Sequence, residues 1–199
     1  DGDQALIIQM YTPGGLDTPR AVGYTAEDGV EVHAQLFAAG GGQAKKPAIV
    51  YVHGGPPRQM LLGWNYSDYY ANAYAMNQYL ASRGFVVLSI NYRLGIGYGY
   101  EFHRPLNAGA QGASEYRDVK AAGLYLKSLS RVDPARVGIY GGSYGGFLTA
   151  LALGLLVSLP LAIAARNHPV MRGALLGLAS IVQTVPGLAL LALFYPLLL

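Results

Sequence analysis

Apolar residues in this chain recur with two different periods, and the switch between them outlines its first 150 positions. Val22-Gly23-Tyr24-Thr25 and Val30-Glu31-Val32-His33-Ala34-Gln35-Leu36-Phe37 read as a hairpin turning at Glu27-Asp28-Gly29, the second arm alternating apolar and polar. Ala48-Ile49-Val50-Tyr51-Val52 and Phe85-Val86-Val87-Leu88-Ser89-Ile90 are short apolar runs, the pattern of strands buried on both faces. Between them, Tyr69, Ala73, Met76 and Leu80 recur at spacings of three and four and stop at Gly84. That spacing predicts a helix over 68–83 with those four residues inward. A second helix is predicted from Ala113 to Leu129, with Val119, Ala122, Leu126 and Leu129 on one face. Asp133-Pro134 then breaks the chain before a last strand, Arg136 to Tyr140. Strand, helix, strand, helix, strand is the order of a doubly wound, mostly parallel α/β sheet. Ahead of it lie an apolar run, Ala5-Leu6-Ile7-Ile8, and a Pro/Gly-rich stretch; Gly40 to Lys46 reads as a polar loop.

The chemistry concentrates where two of these strands end. Gly141-Gly142-Ser143-Tyr144-Gly145 fits the G-x-S-x-G nucleophile elbow, a turn tight enough to leave a serine hydroxyl exposed at the end of a sheet. His53-Gly54-Gly55-Pro56 follows the Ala48–Val52 strand, and its glycines leave backbone N–H groups unobstructed. Acyl transfer needs a nucleophile and two N–H donors aimed at the oxyanion. The reading assigns Ser143 as nucleophile and the N–H groups of Tyr144 and Gly55 as donors. Each motif alone is matched by ordinary turns. The two in this order, each after a buried strand, are far more specific.

Several motifs together resemble the first half of the catalytic domain of the prolyl oligopeptidase (S9) family, near its acylaminoacyl- and dipeptidyl-peptidase branches. They are Val50-Tyr51-Val52-His53-Gly54-Gly55-Pro56, Gly84-Phe85-Val86-Val87, Asn91-Tyr92-Arg93 with Gly95, Gly97-Tyr98-Gly99, and Gly141 to Phe147. The resemblance covers about Val22 to Leu153 and implies a partial α/β-hydrolase fold with Ser143 as nucleophile and Gly55 and Tyr144 as oxyanion donors. It also implies cleavage of short peptides through an acyl-enzyme. Residues 1–21 would then be the end of a preceding β-propeller blade or a linker. In that family the triad Asp and His follow the serine. Here no acidic residue follows Asp133 and His168 is the only later histidine, so weak or no turnover is expected. Glu115 and Asp118 read as solvated charges on a surface helix, His53 as a residue shaping its loop, and His33 and His103 as structural or surface side chains.

Charge distribution sets the last segment apart. All eleven acidic residues and twelve of the fourteen basic ones lie in residues 1–146; beyond them only Arg166, His168 and Arg172 ionise. Residues 147–165 and 173–199 carry no charge, and each run is long enough to cross a bilayer core of about 30 Å. Ser158 to Arg166, Arg172-Gly173 and Gln183 to Leu191 resemble the permease subunit of glycine betaine/choline-type ABC importers, which implies transmembrane-type helices over 154–199. In that arrangement nineteen helical residues would hold His168 nearly 30 Å from Ser143, too far to act as its base. The alternatives are a transport component with a soluble N-terminal domain, or an artificial fusion joined near Leu153-Gly154. Location follows from the same segment: at a membrane if 147–199 inserts, cytoplasmic or periplasmic otherwise. A net charge of +3 does not argue for nucleic acid, and the lack of cysteine excludes disulfides and thiolate metal sites. The sequence is assigned no metal and no cofactor; its expected partner is a short peptide substrate.

Overall fold

A computed structural model describes residues 16–38, 44–109, 112–165, 168 and 173, the side chains of 155–162 and 165 excepted. The apolar run at Ala5–Ile8, most of the Gly40–Lys46 loop and the Gln183–Leu191 segment lie outside the described residues. The chain divides into two compact units, Asp1–Ala152 and Leu153–Leu199. The first holds a five-stranded sheet in the order β1-β2-β4-β3-β5.

The predicted hairpin forms as β1 (Arg20–Thr25) and β2 (Glu31–Phe37), antiparallel, with Gly29 supplying the left-handed φ of 84° at the turn. β2 runs antiparallel to β4 (Val86–Asn91), and β3 (Lys46–Val52) lies parallel to both β4 and β5 (Val132–Gly141). The sheet is therefore mixed rather than mostly parallel: the hairpin is hydrogen-bonded onto the doubly wound part instead of standing beside it. β4 is central and every residue in it is buried, which suits its apolar Val86, Val87, Leu88 and Ile90; Ser89 and Asn91 are its buried polar members. Asp133-Pro134 does not precede β5 but lies inside it. Lys46 pairs with Val132 while Ala48 pairs with Val137, so the intervening residues bulge out of register. A proline can sit there because a bulge needs no ladder donor.

α1 (Asp68–Ser82) ends at Gly84 as predicted, but turns a different face inward. Tyr70, Ala71, Tyr74, Asn77, Gln78 and Ala81 are buried, while Tyr69 and Met76 are exposed. The buried face is partly polar, so the spacing of apolar residues alone does not trace it. Asn77 accepts the Tyr140 hydroxyl at 2.6 Å, and Gln78 exchanges hydrogen bonds with the backbone of Asp17. α2 (Tyr100–His103) is a single turn. α3 (Tyr116–Ser128) buries Val119, Ala122 and Leu126 against the other face of the sheet, as its pattern predicts. α4 spans Tyr144–Ala165. Among the described residues no helix is long and apolar enough to cross a membrane, so the transmembrane-type reading of 147–199 gains no support from the fold.

Candidate active site

Two backbone segments meet at the carboxyl ends of β3 and β5, the edge where parallel strands of α/β folds present their chemistry. Ser143 sits between β5 and α4 with φ of 56°, a left-handed conformation that is rare for a residue with a side chain. The strain persists because the surroundings leave no alternative. A Cβ on Gly145 would lie 2.6 Å from the His53 carbonyl oxygen and collide with that of Val52. A Cβ on Gly54 would lie 2.8 Å from the Gly142 oxygen and 3.0 Å from the Ser143 Cβ. The glycines of the elbow and of the His53 loop are thus a steric lock, backbone against backbone, and Ser143 is left exposed at its rim.

The loop after β3 is held by a set of aromatic rings. Tyr92 donates its hydroxyl to the His53 carbonyl at 2.9 Å and stacks on the His53 ring at 4.4 Å. Tyr70, from the first turn of α1, donates its hydroxyl to the Gly54 carbonyl at 2.8 Å. His53 is fully buried, and its Nδ1 lies 3.0 Å from the same Gly54 oxygen. A carbonyl can only accept, so Nδ1 carries the proton and Nε2 the lone pair. Burial pushes the His53 imidazole down to about 4. Its role as a loop-shaping residue fits this geometry.

Tyr144 opens α4, so its N–H belongs to the first helical turn, where backbone donors have no partner within the helix. Its side chain reaches α3: the hydroxyl donates to Glu115, which also accepts the Gly109 N–H at 3.1 Å. Burial and the neighbouring Glu115 carboxylate push the Tyr144 hydroxyl well above the ordinary tyrosine range. Glu115 and Asp118 are not the solvated charges expected from the sequence; both are fully buried. Asp118 accepts the Arg93 backbone N–H at 2.7 Å and its Nε–H at 3.0 Å. Arg93 also donates to Asp28 in the hairpin turn at 2.6 Å, holding that carboxyl well below the usual range. Partners from distant parts of the chain draw these charges inward. The one local hint is Arg93 itself, a cation two residues beyond the buried strand β4.

The remaining histidines stand apart from this chemistry. His33 stacks on Tyr98 at 4.5 Å, and His103 Nδ1 lies 3.1 Å from the Leu94 oxygen. Among the described residues none of the histidines or carboxylates hydrogen-bonds the Ser143 hydroxyl. The arrangement offers an exposed hydroxyl on a strained turn, beside a helix N-terminus that favours developing negative charge.

Comparison with known proteins adds identity to this geometry. Residues 72–170 match the prolyl oligopeptidase family, so the match runs into the stretch that resembles a permease. The uncharacterized peptidase YuxL of Bacillus subtilis (strain 168) is 37% identical over 142 residues, which is 70% of this chain and 20% of that protein. Acylamino-acid-releasing enzyme 1 of Oryza sativa subsp. japonica is 33% identical over 132 residues, 66% of this chain and 16% of the enzyme. The solved acylaminoacyl peptidase of Pyrococcus horikoshii has a TM-score of 0.58 at 27% identity, covering 75% of this chain and 23% of that one. The chain therefore spans 20% or less of the length of these two curated relatives. The strand order, the serine turn and these matches make the peptidase-domain segment of this chain a member of the prolyl oligopeptidase family.

Proposed function

We propose that this chain carries the nucleophile and oxyanion donors of a serine peptidase site acting on short or N-acylated peptides. The observation that carries the reading is Ser143 at φ of 56°, exposed and locked between Gly54 and Gly145. In the proposed reaction the Ser143 Oγ attacks the scissile carbonyl carbon as its proton passes to a base. The carbonyl oxygen becomes an oxyanion that accepts hydrogen bonds from the N–H groups of Tyr144 and Gly55. Collapse then expels the amine, which takes up the proton, and water hydrolyses the acyl-serine in the reverse sense. The relatives, an acylamino-acid-releasing enzyme and an acylaminoacyl peptidase, support a substrate with a blocked amino end.

No base touches Ser143 among the described residues, so weak or no turnover is expected of the 199-residue chain. Nucleophile and base act as a unit, and losing either costs nearly as much as losing both. A chromogenic acyl-amino-acid or dipeptide assay tests this. Little hydrolysis above background is expected. Robust hydrolysis abolished by Ser143→Ala would overturn the incompleteness and leave the nucleophile standing. Membrane association through 147–199 rests on its two uncharged runs, 147–165 and 173–199, and on its permease resemblance. Carbonate extraction of membranes decides it: a chain recovered in the supernatant removes that reading.

A further inference from the structure

We propose that Tyr70 is a positioning residue that aims the Gly55 N–H by holding the opposite end of the same peptide unit. This rests on the reading of Gly55 as an oxyanion donor. A trans peptide is planar, so the Gly54 C=O and the Gly55 N–H point in opposite directions within one plane. Fixing the carbonyl fixes the donor. The Gly54 oxygen accepts from the Tyr70 hydroxyl at 2.8 Å and from His53 Nδ1–H at 3.0 Å, which fills both of its lone pairs. Gly54 itself is buried and pressed on the nucleophile, its absent Cβ only 3.0 Å from that of Ser143. The plane therefore starts at a residue touching the serine, and its carbonyl is turned toward Tyr70 and the His53 ring. The N–H is left on the other side.

The anchor is itself rigid. Tyr70 is 8% exposed, stands edge-on to the His53 ring and packs in a cluster with Tyr51 and Met60. Gly55 has φ of 53°, and a Cβ there would lie 3.3 Å from the Tyr70 hydroxyl. The loop thus bends around the phenol oxygen, which neither a larger residue at 55 nor a ring without the hydroxyl at 70 would reproduce. Loss of a whole oxyanion donor costs about 10²–10³ in rate. Since His53 would still hold one lone pair, loss of the Tyr70 hydroxyl alone should cost about 10-fold.

The experiment uses the full chain, glycine-labelled with ¹³C and ¹⁵N, as wild type, Tyr70→Phe and Tyr79→Phe, the last an exposed tyrosine of the same helix. In Tyr70→Phe the Gly54 carbonyl and Gly55 amide resonances should move while other glycines stay in place. The maximal rate of phosphonylation by a fluorophosphonate should fall about 10-fold, with the reagent concentration for half-maximal rate unchanged. Tyr79→Phe should match wild type in both readouts. Unmoved Gly54 and Gly55 resonances in Tyr70→Phe overturn the proposal. Should that variant fail to fold, 3,5-difluorotyrosine at position 70, a stronger donor, must shift the Gly54 carbonyl in the direction of stronger hydrogen bonding, and no shift overturns it. Wild type that takes no label at Ser143 removes the proposed function instead, and the resonances still decide the role of Tyr70.

Discussion

Position 53 shows how one buried ring constrains both the site and its response to pH. Burial penalises the cation and pushes the His53 imidazole down to about 4 in the folded chain, against an ordinary value of 6.5. Between those two values the unfolded chain binds a proton that the folded chain refuses. Stability therefore falls as the pH drops from about 6.5 toward about 4, by an amount of order 3 kcal/mol. Imidazole NMR alongside urea unfolding checks this: the His53 resonances should stay those of the Nδ1–H tautomer to about pH 4. Titration near 6.5 contradicts it. At this scale the sequence made Ser143 and its glycines legible, since a left-handed serine flanked by small residues has a short local signature. It left Tyr70 invisible. Its hydroxyl matters only because α1 docks with that side inward, and the three-and-four spacing of apolar side chains pointed to Tyr69 instead.

Elements are joined here by charge as well as by apolar packing. Arg93 at the end of β4 ties α3, through Asp118, to the β1–β2 turn, through Asp28. Asp118 is fully buried, so its removal strands a guanidinium that keeps only part of its compensation. Asp118→Ala is predicted to destabilise the fold by about 3 kcal/mol, at the lower end for broken buried pairs because Asp28 remains. Urea denaturation measures it; a loss below about 1 kcal/mol would show that the pair contributes as a surface bridge does. The five strands, α1 and α3 were readable because strands and helices differ in period, whereas the single turn α2 has too few residues to show one. The burial of Glu115 and Asp118 is not legible in the sequence because charge alone argues for exposure, and Tyr144 and Arg93, which bind them, lie 29 and 25 positions away.

For the whole molecule, the order β1-β2-β4-β3-β5 places β3 and β5 side by side and so brings the His53 loop and the serine turn together. That adjacency is what converts two common glycine motifs into one site. The alternation of strands and helices was enough to predict the doubly wound part, but nothing in a hairpin's own pattern says which strand it will join. β5 is an edge strand among the described residues. The central claim is that Ser143 is a nucleophile held ready by this backbone lock. Peptide mapping by mass spectrometry after prolonged exposure of the intact chain to excess fluorophosphonate tests it most directly. The account predicts one adduct, on Ser143, absent from Ser143→Ala; an unmodified Ser143, or labelling spread equally over other exposed hydroxyls, would contradict it.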